Sequence, residues 1–148
     1  MYYLYDVRNC STNSLFRIFF LVLLLPSLAG CAINNETVMI EPGVDLSKAK
    51  TVQVLHNSED THNVYLIISK DLGVRDLDIV PEGADVILKY EDKWAWDISW
   101  YMVELTVKLT DGKSGKHLAA AHSIHTSLTR KSPKEMVNEV LTSLFSGE

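Results

Sequence analysis

Apolar residues along the chain fall into several patterns, and each predicts a different element. Residues 18–25, Ile-Phe-Phe-Leu-Val-Leu-Leu-Leu, form an unbroken run directly after Arg17. A membrane-crossing helix needs about 20 such residues, so this run is too short to span a bilayer. Residues 51–56, Thr-Val-Gln-Val-Leu-His, are β-branched enough to predict a short strand. Val64, Ile67, Ile68 and Leu72 recur at helical spacing, with caps offered at 58–60 and Gly73 as a stop. Val74, Leu77 and Ile79 predict a brief second strand that Pro81-Glu82-Gly83 ends.

The strongest pattern lies in the second half. Val86, Leu88 and Tyr90 alternate on even positions, while Tyr101, Val103, Leu105, Val107 and Leu109 alternate on odd ones. Side chains of a strand repeat every two residues, so the change of phase requires a turn or bulge, expected within 94–99. Asp111-Gly112-Lys113-Ser114-Gly115 then makes a tight connection. A third strand follows at 117–126, with Leu118, Ala120, His122 and Ile124 on one face and Ala119, Ala121 and Ser123 on the other. Ser132, Pro133 and Glu135 are a helix start with a capping box. Met136, Val137, Val140, Leu141, Leu144 and Phe145 then form one apolar stripe. Together these predict one α+β domain over 51–148. It would be a two-layer sandwich with a mostly antiparallel sheet of four to five strands and two helices on one face.

The small pair Ala29-Gly30 follows the apolar run after Pro26 and Ser27, which is the order of a secretory leader over residues 1–30. Leu28-Ala29-Gly30-Cys31 resembles the lipobox of bacterial lipoproteins. The resemblance implies a diacylglyceryl group on the Cys31 sulfur, cleavage before Cys31 and acylation of the new amine, with chains such as palmitate. Two or three buried chains hold a protein at a membrane where one does not. Under the sorting rule of enteric-type lipoproteins, Ala32 implies the outer membrane, with the domain facing the periplasm. Residues 31–50 read as a tether, interrupted by Asn34, Asn35, Pro42, Gly43 and Ser47; alternatively, Val38-Met39-Ile40 docks on the sheet edge. The aromatic opening of residues 1–6 is unusual for a leader, and translation is expected to begin later, at Val7 or Leu15.

Composition narrows the chemistry. The chain has two cysteines. Cys10 leaves with the leader and Cys31 carries lipid, so no thiol remains for catalysis, a disulfide or a metal. The net charge of −5 comes without a basic stripe, so nucleic acid is not an expected partner. His122 and His125, three apart in a strand, fall on opposite faces, so neither a metal nor a cofactor is expected there. Residues 112–116, Gly-Lys-Ser-Gly-Lys, lack the spacing of a phosphate-binding loop. No Gly-x-Ser-x-Gly elbow is present.

The order of elements resembles the small domains of outer-membrane auxiliary lipoproteins, including the lipopolysaccharide-assembly lipoprotein. Residues 90–97, Tyr-Glu-Asp-Lys-Trp-Ala-Trp-Asp, and 127–133, Ser-Leu-Thr-Arg-Lys-Ser-Pro, also resemble a group of small uncharacterised proteobacterial outer-membrane lipoproteins. That resemblance implies a domain shape and no activity. The candidate binding residues are Tyr90, Trp94, Trp96, Trp100 and Tyr101, which include all three tryptophans of the chain. Such rings either fill the core and brace the bend or stand exposed to stack on sugars, anchor a partner or rest at a lipid interface. Arg130, Lys131 and Lys134 form a basic group at the last helix, either solvated or facing anionic phosphates. The expected function is that of a membrane-anchored, non-enzymatic envelope lipoprotein that binds an envelope protein partner. The alternative is a glycan or lipid-headgroup binding module around Trp94, Trp96 and Trp100.

Overall fold

The structure, a computed structural model, describes residues 34–146. The expected leader, the lipobox-like stretch with Cys31 and the expected start sites lie outside the described residues. Six strands and two α-helices follow in the order β1 (Asn34–Ile40), β2 (Thr51–Val54), α1 (Val64–Val74), β3 (Asp78–Ile79), β4 (Val86–Asp97), β5 (Ser99–Asp111), β6 (His117–His125) and α2 (Pro133–Phe145). They form one mixed sheet in the spatial order β1-β6-β5-β4-β2-β3. β4, β5 and β6 are the expected antiparallel meander, and β1 adds antiparallel to β6. β2 pairs parallel with both β3 and β4, because α1 carries the chain back before the next strand begins.

The architecture is α+β, with one strand more than expected and two parallel pairings. The extra strand comes from the stretch read as a tether. Residues 34–40 pair along their whole length with residues 119–125, and Leu46 and Ala49 are buried. Pro42 and Gly43 interrupt the periodicity but only separate β1 from the turn that buries Leu46. The edge-docked alternative for Val38, Met39 and Ile40 is therefore the arrangement observed.

The core is built from the inward rows of the strands and the two helix stripes: Val86 and Leu88 on β4, Leu105, Val107 and Leu109 on β5, Ile68 and Leu72 on α1, Met136, Val140 and Leu141 on α2. On β6 the small row Ala119, Ala121, Ser123 faces inward, which lets α2 approach closely; Leu118, Ala120, His122 and Ile124 take the open face. The Ser132–Glu135 capping box forms as expected. Arg75, just past α1, joins the helices by bonding Asp71, the Asn138 carbonyl and Thr142. At the lower end, a side chain on Gly112 would meet the Ala84 carbonyl at 1.8 Å, so only glycine fits this turn.

Candidate functional site

β4 and β5 continue as a two-stranded hairpin past the end of their neighbours. Their register shifts at Lys93/Trp94: Lys93 faces Glu104 and Trp94 faces Met102, leaving Val103 as an extra residue on β5. This bulge inverts the pattern of β5. Below it Leu105, Val107 and Leu109 face the helices; above it Met102 does so, fully buried. The expectation that Tyr101 and Val103 share the face of Leu105 is thus corrected, since both lie beyond or at the inserted residue. The turn itself falls at Ile98, within the expected 94–99, between the paired residues Asp97 and Ser99.

The five aromatic candidates occupy four different settings. Tyr90 is a core residue at 4% exposure. Its hydroxyl donates to Asp60 at 2.8 Å, and burial, with Asp60 next, raises its pKa well above the ordinary tyrosine value. Trp94 is half-buried; His62 stacks on it at 3.8 Å and 13°, and its Nε1 donates to Asp92 at 2.6 Å. Tyr101 lies on the open face of the sheet under the Arg130 guanidinium, 4.1 Å from the ring centre. Trp96 and Trp100 remain, directly opposite one another, 63% and 59% exposed, meeting edge-on at 5.8 Å. Trp94, Trp96 and Trp100 share one face, as their phase requires: His62 reaches both Trp94 and, at 6.1 Å, Trp100.

Further residues complete this site, among them Asp60 from the stretch 58–60 expected to cap the helix and Arg130 from the expected basic group. Asp60 accepts from the amides of His62, Val64 and Tyr65 at 3.1, 2.9 and 2.8 Å and from Tyr90. It caps α1, because Asn63 at the cap position has a left-handed backbone and makes no side-chain cap bond. Burial opposes the charge, yet these bonds hold the Asp60 carboxyl below its ordinary range. Ile98 sits at φ +62 and is 92% exposed, a left-handed conformation that costs a β-branched residue about 1–2 kcal/mol. Ser127 donates to Asp97, and Arg130 bonds Ser99 Oγ at 3.0 Å and Asp97 Oδ2 at 3.3 Å. The segment after β6 is thereby clasped to the hairpin, with Leu128 71% exposed beside it.

The histidines on β6 fall on opposite faces. His122 Nε2 is 3.2 Å from Glu104, which also takes Lys93 at 2.9 Å on the open face. The Lys93 bond holds Glu104 below its ordinary carboxylate range despite partial burial. His125 is fully buried and bonds Glu139 Oε2 at 3.1 Å; Ser123 donates to the same oxygen at 3.0 Å, and Lys131 takes Oε1 at 2.7 Å. Here the acid stands between hydroxyl and imidazole. A hydroxyl-activating relay needs the imidazole between the other two, so this cluster ties α2 to the sheet. Asp97 bonds Ser127 and Arg130. The turn at 112–116 is a hairpin connection, with Asp111 accepting from Ser114 N at 2.7 Å.

Among the described residues, no helix is long and apolar enough to cross a membrane. No family model matches the sequence, and no curated protein does. Solved structures with a similar fold include a PelC dodecamer from Paraburkholderia phytofirmans, 16% identical, with a TM-score of 0.51 over 77% of this chain and 96% of that one. A DUF4136 family protein from Bacteroides thetaiotaomicron is 8% identical, with a TM-score of 0.53 over 75% of this chain and 95% of that one. At such identities the likeness is one of fold, and it covers nearly the whole of each of those chains.

Proposed function

We propose that the chain is a lipid-anchored lipoprotein of the bacterial envelope, held at the outer membrane by acyl chains on Cys31 and facing the periplasm. Its folded domain acts as a non-enzymatic accessory that binds another envelope protein. The observation that carries the protein-binding part is β1. It is a seven-residue strand at the sheet edge, exposed over nearly its whole length. An edge of this kind presents unpaired N–H and C=O groups, and natural edges are usually short, charged or covered. β3 at the other edge has two residues. β1 has neither lysine nor proline, and its one charge, Glu36, is engaged by Ser143 on α2. Of its remaining residues Thr37, Val38 and Ile40 favour strand pairing, whereas Asn34 and Asn35 at its start do not. Addition of a partner strand here gives main-chain affinity without a preformed pocket. That a PelC structure of similar fold is a dodecamer supports counting a second copy among the partners.

A photoreactive residue placed at Thr37 or Met39 in living cells tests this. Adducts are expected at both positions and not at Glu82, an exposed residue beyond β3. Mass spectrometry then distinguishes a second copy from another envelope protein. Recovery of monomer alone from both β1 positions refutes the edge as the binding surface. The second reading, a glycan or lipid-headgroup site, is supported by the exposure of Trp96 and Trp100. Trp94 takes no part in it, because His62 covers its ring.

A further inference from the structure

The open end of the domain and the start of its first strand point the same way. β1 begins at Asn34 opposite His125, the last residue of β6. β6 in turn meets β5 at Ile124–Glu104. Past that level the β4–β5 hairpin continues to Ile98. Strand geometry of about 3.3 Å per residue puts this turn roughly 13 Å beyond Asn34. Cys31 precedes Asn34 by three residues, a separation that covalent geometry limits to about 11 Å. The chain enters β1 from the hairpin end. A lipid on Cys31 therefore keeps the bilayer surface close to the end of the domain where the hairpin projects.

The side chains at this end suit such a surface. Of the nine exposed large apolar side chains among the described residues, four are here: Trp96, Ile98, Trp100 and Leu128. Ile98 occupies a left-handed position where glycine or asparagine would sit without strain, so an apolar group is displayed at the extreme tip against local preference. Tryptophan rings, apolar with one N–H, concentrate at the membrane–water boundary. Trp96 and Trp100 meet at 65°, an edge-on pair that offers no flat shared platform for a sugar ring.

We propose that the hairpin tip, Trp96, Ile98 and Trp100 with Leu128 beside it, inserts into the interfacial layer of the same bilayer that holds Cys31. The acyl chains and the tip then form two points of attachment, which fix the orientation of the domain and leave the β1 edge free to one side. The inference rests on acylation of Cys31 and not on the partner at β1.

The test uses the full acylated protein in vesicles of phosphatidylethanolamine and phosphatidylglycerol, with either ordinary or brominated acyl chains. Bromine is expected to quench Trp96 and Trp100, two of the three tryptophans, so up to two-thirds of the emission is lost. Trp94, stacked on His62, keeps its share. Ile98→Asp, at a solvent-facing turn, is expected to remove most of the quenching with an unchanged circular dichroism spectrum. Equal emission in both kinds of vesicle, from protein that floats with them and carries acyl mass on Cys31, overturns insertion and leaves the anchor intact. Protein that neither floats nor carries that mass overturns both. Protection from aqueous acrylamide without bromine quenching means that a second copy of the chain covers the tip, and this also overturns the proposal.

Discussion

Replacing Asp60 by alanine tests whether one carboxylate joins the first helix to the aromatic hairpin. The side chain accepts three backbone amides at the start of α1 and the hydroxyl of Tyr90 on β4. Loss of a helix cap costs about 1–2 kcal/mol. A buried phenol left without its acceptor costs roughly another 1–2 kcal/mol, because Asn57 N gives that oxygen a donor but nothing receives its proton. The expected total is about 3 kcal/mol, or a melting temperature lower by roughly 10 °C for a domain of this size. Tyr90→Phe removes only the second part and costs about 1–2 kcal/mol. Since the two groups bond each other, the double variant is expected to lose about 1 kcal/mol less than the sum of the singles. Urea unfolding followed by circular dichroism at pH 7 measures all three. Tryptophan emission reports whether His62, whose amide Asp60 also holds, leaves the face of Trp94. A loss under about 1 kcal/mol for Asp60→Ala, or strict additivity in the cycle, refutes the idea that this carboxylate links helix to hairpin.

Two further outcomes follow from the core and from the carboxylates. Leu141→Ala, on the buried stripe of α2, is expected to cost about 3 kcal/mol in urea unfolding; a cost near zero would mean that the helix does not pack on the sheet. Asp60 and Glu139 both titrate below their ordinary values of 3.8 and 4.5, burial opposing and hydrogen bonds prevailing. Their contribution is complete above those values and is lost as the pH falls through the lowered folded-state values. Glu36 acts in the opposite sense, raised by burial and by Glu139, so its contribution fades as the pH rises through its folded-state value. The urea midpoint is therefore expected to fall steeply below about pH 4, and Asp60→Asn to flatten that fall. A wild-type midpoint that stays level down to pH 3 contradicts the arrangement.

Local pattern was enough for the elements with strong periodicity or caps. The stripe from Met136 to Phe145 behind Ser132-Pro133 gave α2 with its capping box, because the chemistry of a helix start lies within four residues. The phase change between Tyr90 and Leu105 announced an irregularity, and the turn at Ile98 lies where it had to. The position of the bulge was not legible. Val103 is apolar like its neighbours, and only the cross-strand register shows it to be the inserted residue. β1 was obscured for a different reason. An edge strand buries little, so 34–40 needs no alternating pattern, and its partner lies more than seventy residues away on β6. The stack of His62 on Trp94 joins residues far apart in sequence, and no spacing rule reaches that far. Ile98 was not among the expected site residues, although a lone apolar residue between Asp97 and Ser99 in a turn is the pattern that marks it.

Three of the domain's polar ties lie at the end where its presentation matters. Glu139 reaches from α2 to Ser123 and the fully buried His125 at the end of β6, while Lys131 satisfies its second oxygen. Asp60 does the corresponding work for α1, and Arg130 clasps the segment after β6 to Asp97 and Ser99. An apolar contact alone fixes a helix against a sheet only loosely in rotation, whereas a carboxylate with several directed bonds admits one arrangement. All three ties converge on the end from which the hairpin projects. At the opposite end close backbone approach at Gly112 is joined by the Asp85 carboxylate, which accepts from the amides of Lys50 and Thr51. A two-stranded hairpin standing clear of its sheet would otherwise flex about its bulge. With His62 braced against Trp94 on one face and Arg130 against Tyr101 on the other, it holds Trp96, Ile98 and Trp100 out as a fixed projection.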